Sequence, residues 1–400
     1  MEGNFMKKRI FFPAVVALLV FSLAILGFSA SPCQAKQKVI KWRVQDTFAA
    51  GIALSWSGEI LAKTLEDIVQ TPNYRLEVDY HYGSELFPMA ETFEAARTGA
   101  LDAAIGWPGF LKGLNSALTL FGSFPCSMTP EDYAIWYYYG GGRELANEVY
   151  GKYNMKPFAA GGGSIEGGLW SHHEVKKPAD FKGLKIRCPG FSEDILTMLG
   201  ATTMAISPDE IYLAVDRKVV DAAEFTFPCG DLSISLHEVA DYLIVPAWWQ
   251  TYMITLLAVN TDTWNRLPDE LKPLVEYATK ASYMVAYSKW EYSNIKAVKT
   301  FQKAGTKITK LDSQTIEELE KLTVKLAESE AAKNPDFLKA AKSMYNFLKG
   351  YGEWRAMAKP YGQGKVHKYF PKFVDENPTF EWITDKTDPK YYAIFEKGAK

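Results

Sequence analysis

Four short pieces of this chain carry residues able to hold a small anion and a cation together. They are Ser164–Trp170 (S-I-E-G-G-L-W), Gly183–Gly190 (G-L-K-I-R-C-P-G), Val219–Phe225 (V-V-D-A-A-E-F) and Pro246–Thr251 (P-A-W-W-Q-T). Each reads as a strand end running into a turn, and in α/β proteins ligands bind outside the carboxyl ends of strands. Arg187 offers a planar fork that matches a carboxylate through two parallel hydrogen bonds. Alternation on its strand sends Leu184, Ile186 and Cys188 to one face, Lys185 and Arg187 to the other. Glu224 stands on an apolar, aromatic-flanked strand, where an unpaired carboxylate is costly to bury. It therefore requires a cation, a proton or Arg187; a plain arginine–glutamate salt bridge without metal is the simpler alternative. Trp107, Phe110, Trp248 and Trp249 are candidates for an aromatic pocket wall, although such residues serve more often as core.

Other chemistry is poorly supported. Adjacent residues of a strand face opposite ways, so His172-His173-Glu174 reads as solvated histidines rather than a metal site. His237-Glu238 lacks the second histidine of H-E-x-x-H, and neither G-x-G-x-x-G nor G-x-x-x-x-G-K-[ST] can be read anywhere. No C-x-x-C occurs, which argues against a thiolate zinc site. With a formal net charge of −2, nothing draws the whole chain to nucleic acid or an anionic membrane.

The amino end reads as a leader. Lys7-Lys8-Arg9 precede an apolar run from Ile10 to Phe28 and small residues up to Ala35, the pattern of a cleavable secretory signal peptide over 1–35. Pro32 before Cys33 argues against a lipid anchor, and the mature protein is expected to be exported. Once the leader is removed, Cys126, Cys188 and Cys229 remain, too few and too odd for a disulfide framework.

At 400 residues the chain suits two lobes rather than one core. Strands at Val39–Asp46, Arg75–Tyr82 and Leu101–Trp107 alternate with helices at Gly51–Gln70 and Pro88–Thr98, the repeating unit of an α/β sheet. Thr129-Pro130-Glu131-Asp132 and Ser207-Pro208-Asp209-Glu210 both read as capped helix starts, the second as a capping box. Gly161–Gly163 suits a crossover, either for close packing or for an unusual φ. Further strands are expected at Val219–Phe225, Tyr242–Val245 and Met253–Asn260, and a charged helix at Ser313–Lys333. Asp269–Lys303 reads as one helix of ~45–50 Å, a strut along both lobes. The division expected is lobe I over 36–160 with a return segment 248–290, and lobe II over 161–247 with helices from about 291 to 335. A helical or extended tail, 336–400, is a candidate dimerisation arm.

From Val39 to Ala327 the chain resembles the solute-binding protein of a tripartite ATP-independent periplasmic (TRAP) transporter. The resemblance rests on G-S-E-L-F-P (Gly83–Pro88), W-Y-Y-Y-G-G-G-R-E-L (Trp136–Leu145), D-F-K-G-L-K-I-R (Asp180–Arg187), V-V-D-A-A-E-F and L-P-D-E-L (Leu267–Leu271), in that order. It implies an α/β, two-lobed periplasmic-binding-protein fold, type II-like, that closes over a small acid and delivers it to a membrane permease without catalysis. The subgroup resembled binds 2-oxo or 2-hydroxy monocarboxylates such as pyruvate or lactate with a metal ion, and an aromatic acid is a further candidate for the ligand here. By that likeness Arg187 clamps the carboxylate, Glu224, Phe225 (backbone carbonyl), Gln250 and Glu166 surround the metal, and Trp107, Phe110, Phe225, Trp249 and Glu166 border the acid. The subgroup has glutamine where Glu166 stands and glutamate where Gln250 stands, so the acid and the amide are exchanged here. Oxygen-only ligands favour Ca²⁺ or Na⁺ over zinc, and the charge of a guanidinium, two glutamates and a monocarboxylate is neutralised by Ca²⁺. A homodimer is expected. The alternatives are a metal-dependent lyase or hydrolase using Glu224 as base, a dicarboxylate-binding protein without metal, and the sensing lobe of a receptor.

Overall fold

The structure, a computed structural model, describes residues 37–357. The expected leader over 1–35 and the tail beyond 357 lie outside the described residues. Alternation along Lys38–Asp46 (β1) and Tyr74–His81 (β2) builds a parallel pair, and Ala103–Gly106 (β3) adds in parallel to the other side of β1. Helices Trp56–Ile68 and Thr92–Thr98 make the crossovers; the first buries Ile60, Leu61 and Leu65 at helical spacing. Met155–Gly163 (β4) forms the far edge of this sheet.

A second sheet follows from Leu169–Ser171 (β5), Lys185–Arg187 (β6), Thr202–Met204 (β7), Ala222–Ala223 (β8) and Tyr242–Val245 (β9). The chain then returns to the first sheet as Met253–Asn260 (β10), antiparallel between β3 and β4. Lys307–Lys310 (β11) closes the outer edge of the second sheet beside β9. Two sheets, between which the chain passes three times (β4 to β5, β9 to β10 and β10 to β11), make the α/β two-lobed architecture of type II periplasmic-binding proteins. Among the described residues no helix is long and apolar enough to cross a membrane.

Local expectations divide on where hydrogen bonds go. At Thr129 the capping box forms: Asp132 N–H donates to the threonine hydroxyl at 3.2 Å, and Thr129 N–H to the Asp132 carboxylate at 3.1 Å. At Ser207 it does not. Glu210 N–H, which a box would give to the serine side chain, donates to the Ser207 carbonyl at 3.0 Å, so Pro208–Glu210 is a 3₁₀ turn before helix Ile211–Asp216. The strand expected over Val219–Phe225 shrinks to Ala222–Ala223: Glu224 N–H still bonds the Arg187 carbonyl of the neighbouring strand at 3.1 Å, and by Thr226, whose N–H donates to Asp231 Oδ1 at 3.1 Å, the chain has left the sheet.

The triple glycine is a matter of packing. None of Gly161–Gly163 has positive φ. A Cβ on Gly161 would lie 2.1 Å from Thr255 Oγ1, on Gly162 2.4 Å from the Tyr283 ring, and on Gly163 2.2 Å from the Met253 carbonyl oxygen. These contacts bring β4, β10 and the long helix Lys272–Ala304 together where the chain crosses between sheets. That helix has 33 residues, so it runs for about 50 Å. It packs on β4 and helix Trp56–Ile68, then on helix Pro228–Ser233 beside the second sheet. Trp290 Nε1 on it donates to the Ala53 carbonyl at 2.8 Å. A last helix, Pro335–Met357, seats Phe337 between Phe124 and Phe191.

Because the Met253 carbonyl cannot retreat without breaking the β4–β10 pairing, Gly163→Ala is expected to lower stability by about 1–3 kcal/mol. Gly113→Ala, with open space around its Cβ, is the control and should be near neutral. Urea unfolding of both variants measures the difference; equal midpoints would show that the crossing tolerates a side chain.

Candidate functional site

Arg187 ends β6, between β7 and β8, with Ile186 and Cys188 buried on the opposite face. Its own face turns inward too, leaving it only 4% exposed. Nη1 donates to the Glu224 carbonyl at 2.6 Å and to Glu224 Oε1 at 3.0 Å, and Nε donates to the Ile206 carbonyl at 3.1 Å. These contacts orient the guanidinium and leave Nη2 without a partner among the described residues. One edge of the fork is therefore available.

The acids around it are not all matched. Glu224 is wholly buried and Glu166 nearly so. Glu166 Oε2 accepts the Trp249 indole N–H, and Glu166 N–H donates to the Gln250 carbonyl at 3.3 Å. Glu224 Oε2 and Gln250 Oε1, both buried, have no hydrogen-bond partner among the described residues. Burial pushes the proton affinity of both glutamates up, and their mutual repulsion adds to this for Glu166. The Arg187 charge pulls Glu224 back down, so Glu166 is the glutamate that keeps its proton more firmly. Asp231 lies behind them, also buried, and burial pushes its carboxyl well above the usual range. It accepts the Trp170 indole N–H at 2.9 Å and the Thr226 N–H at 3.1 Å.

Among the described residues no three His, Cys, Asp or Glu side chains converge on a metal position. A cation here would need amide and carbonyl oxygens beside two carboxylates. The unmatched oxygens of Glu224 and Gln250, next to Glu166 and the Phe225 backbone, supply that kind of donor set, which suits a hard ion.

These groups border a cleft of about 30 Å³, room for only a few water-sized atoms. Phe48, Leu54, Trp107 and Phe110 come to it from the first sheet's side, and Glu166, Arg187, Pro189, Pro208, Phe225 and Thr226 from the second; Gln250 and Met253 stand where the chain recrosses. Glu224 lies one layer behind, held by Arg187. Trp249 does not line the wall; its indole holds Glu166 instead. Trp248 packs edge-on against Trp249 in the core. His172 Nε2 donates to the Val215 carbonyl at 2.9 Å and His173 is exposed, both away from the cleft. Phe48, Leu54, Pro208, Thr226 and Met253 were not anticipated. Phe48 follows the carboxyl end of β1, where the strand-end rule could have found it; the others depend on contacts between distant segments. Across the mouth, Lys112 Nζ donates to the Gly190 carbonyl at 3.0 Å and to Asp194 Oδ2 at 2.5 Å, joining the two sides.

A two-sheet fold with an arginine-bearing cleft at the strand ends is that of an extracytoplasmic binding protein for small anions. Residues 56–334 match the DctP family, bacterial extracellular solute-binding protein, family 7, and the chain belongs to that family. It is a periplasmic solute-binding component of a TRAP transporter and not an enzyme. A monocarboxylate 2-oxoacid-binding periplasmic protein of Nostoc sp. is 26% identical over 326 residues, 82% of this chain and 89% of its own length. The TRAP solute-binding protein of Bordetella bronchiseptica, with copurified calcium and picolinate, superposes with a TM-score of 0.76 at 25% identity over 81% of this chain and 96% of that one. That of Colwellia psychrerythraea, with calcium and pyruvate, gives 0.76 at 25% identity over 80% and 98%. That of Pseudoalteromonas atlantica, with sodium and pyruvate, gives 0.75 at 25% identity over 81% and 100%.

Removing one partner of the buried pair should leave the other exposed to the full penalty of desolvation. Arg187→Ala is expected to destabilise the cation-free protein by about 3 kcal/mol at pH 8. The loss should shrink toward pH 5.5, because Glu224, its folded proton affinity already above the unfolded value, then carries a proton. Urea unfolding at the two pH values tests this; an equal loss at both would count against a buried charge pair.

Proposed function

We propose that the cleft captures a small 2-oxo or 2-hydroxy monocarboxylate together with Ca²⁺ and presents the closed complex to the membrane permease. The observation that carries this reading is the pair of unmatched buried oxygens beside Arg187: Gln250 Oε1, on a residue that lines the cleft with Arg187, and Glu224 Oε2, one layer behind it on the carboxylate that Arg187 holds. Arg187 takes the carboxylate through that edge. Glu224, Gln250, Glu166 and the Phe225 carbonyl hold the cation, whose contribution is to neutralise the acids and draw the second oxygen of the ligand. Trp107, Phe110 and Phe225 exclude water and bound the size of the acid. With both glutamates ionised beside one arginine and one monocarboxylate, a divalent ion balances the charge, whereas Na⁺ would leave the closed site anionic.

On this reading lobe I comprises 36–160 with the return segment 248–290, and lobe II comprises 161–247 with the helices that follow to about 335. The lobes swing about the crossings near Glu166 and Gln250, a hinge closure, with Lys112–Asp194 as a clasp at the mouth. We also assign a homodimer, supported by Tyr277 and Met284, each 59% exposed on the long helix, and by Tyr139, 92% exposed nearby in sequence to its neighbour Tyr138, over whose ring Lys280 of that helix sits. A monomer mass by light scattering would end that assignment.

Calorimetric titration with pyruvate should show tight binding in Ca²⁺ and at least tenfold weaker binding after chelation. Acidification from pH 8 to 5.5 should weaken Ca²⁺ binding, since Glu166 must surrender a proton that burial helps it keep. Binding indifferent to both chelator and pH would remove the cation from the reading. Lys112→Ala should raise the ligand release rate while leaving the melting temperature of the ligand-free protein within a degree or two; unchanged release by stopped-flow fluorescence would dismiss the clasp.

A further inference from the structure

Of the three acids Glu166, Glu224 and Asp231, the cation reading gives a task to the first two only. Asp231 lies on helix Pro228–Ser233, wholly buried and outside the residues that line the cleft. A carboxyl so placed is costly unless its surroundings bond to it. Both of its oxygens are engaged: Oδ1 accepts the Thr226 N–H at 3.1 Å and Oδ2 the Trp170 indole N–H at 2.9 Å.

The first of these bonds reaches a proposed cation ligand through a single peptide. The Thr226 N–H and the Phe225 carbonyl belong to one planar unit, and in a trans peptide, as this one is, they point in opposite directions. Holding the N–H therefore turns the carbonyl away from Asp231, toward the side on which Phe225 and Thr226 line the cleft. Among the described residues no hydrogen bond reaches that carbonyl, although those on either side of it are taken. The Glu224 carbonyl accepts from Arg187 Nη1 at 2.6 Å, and the Thr226 carbonyl from the Gly167 N–H at 2.9 Å. Gly167, next to Glu166, also runs against the same carboxyl; a Cβ on it would lie 2.9 Å from Asp231 Oδ2. The Thr226 hydroxyl, buried and unpartnered among the described residues, takes no part.

We propose that Asp231 is a positioning residue for the cation: by accepting the Thr226 N–H it aims the Phe225 carbonyl at the ion and makes that oxygen a stronger ligand. The proposal rests on the cation reading above. A hydrogen bond at the N–H end of a peptide polarises the unit and adds negative charge to its oxygen, the more so when the acceptor is a carboxylate. Partners of this kind hold the ligands of metal sites in place, and losing one typically lowers metal affinity by about ten- to a hundredfold.

The dipeptide Phe-Thr occurs once in the chain, at Phe225-Thr226. Protein carrying ¹³C in its phenylalanine carbonyls and ¹⁵N in its threonines therefore gives one carbonyl–amide correlation peak by NMR, from this peptide alone. In the wild type, Ca²⁺ added in the presence of pyruvate should shift the carbonyl resonance of that peak. In Asp231→Ala the amide proton should move upfield before any Ca²⁺ is added, and Ca²⁺ affinity by calorimetry should fall about tenfold or more. Asp231→Asn, whose amide oxygen can still serve the Thr226 N–H, should lose less. Trp170→Phe removes the other bond to the same carboxyl; it should melt lower yet keep the peak and the Ca²⁺ affinity of the wild type. Equal losses of affinity in Trp170→Phe and Asp231→Ala would reduce Asp231 to a structural bracket, and wild-type affinity in Asp231→Ala would remove it from the site. If Asp231→Ala does not fold, the wild-type peak decides: Ca²⁺ binding that leaves the Phe225 carbonyl resonance unmoved overturns the proposal. Each of these outcomes leaves the cation reading standing, whereas a wild type that binds no Ca²⁺ would overturn both.

Discussion

A guanidinium and a carboxylate placed almost out of reach of water form the contact on which this site depends. Arg187 and Glu224 meet at 3.0 Å with side chains 5% and 1% exposed. Such a pair persists only where geometry is good and further hydrogen bonds satisfy what remains. Arg187 meets that condition through the Ile206 and Glu224 carbonyls. Glu224 does not, since its second oxygen has no partner among the described residues. Glu166 and Asp231 add two more acids to the same small volume, and burial raises the proton affinity of both. Protons are the simplest neutralisers of that surplus in a cation-free protein. An acid cluster kept neutral by protons is also one that can exchange a proton for a cation without reorganising its backbone.

The fold serves this contact by delivering its parts on separate rigid pieces. Arg187 sits at the end of β6 and Glu224 just past β8, strands paired in parallel, so the two arrive side by side by register alone. Glu166 and Gln250 lie on the first two of the three segments that cross between sheets, and a backbone bond from Glu166 N–H to the Gln250 carbonyl ties these crossings together. The glycines of β4 let those crossings run against β10 and Tyr283 without a side chain between them. The long helix then spans both halves, bonded to the first through Trp290 and Ala53 and to the second through Asn294 and Cys229.

What could be read from residues alone was whatever local patterns decide. Helix Ser313–Lys333 has the bounds its periodicity predicts, and the strands at 242–245 and 253–260 do as well. Alternation placed Arg187 opposite Ile186 and Cys188, and the aversion of a buried carboxylate to isolation pointed Glu224 toward Arg187. Elsewhere a distant partner won. Ser207 matches the capping pattern as well as Thr129 does, yet its backbone took a 3₁₀ turn instead. Trp249 looked like a wall and proved to be a support for Glu166, a role set by a residue 83 positions away. Thr226 and Asp231 carry no signature at all, because an unmatched hydroxyl and a buried bracket exist only once the chain is folded.

The exchange of acid and amide between positions 166 and 250 is easier to understand in this light. The resemblance to the 2-oxoacid-binding subgroup implies glutamine at the first and glutamate at the second; this chain has Glu166 and Gln250. The indole N–H of Trp249 donates to Glu166, a bond that strengthens when the carboxyl gives up its proton. Gln250 needs no such support, and its oxygen stays free to act as a neutral donor atom toward a cation. The swap preserves the number of carboxylates, hence the charge that selects between Ca²⁺ and Na⁺, and preserves the number of oxygens. It moves the negative charge from one crossing segment to the other, toward the side where Asp231 already lies. Two neighbouring acids on one side make the first harder to ionise, as the raised proton affinity of Glu166 reflects. On the cation reading proposed above, proton and cation then compete for Glu166.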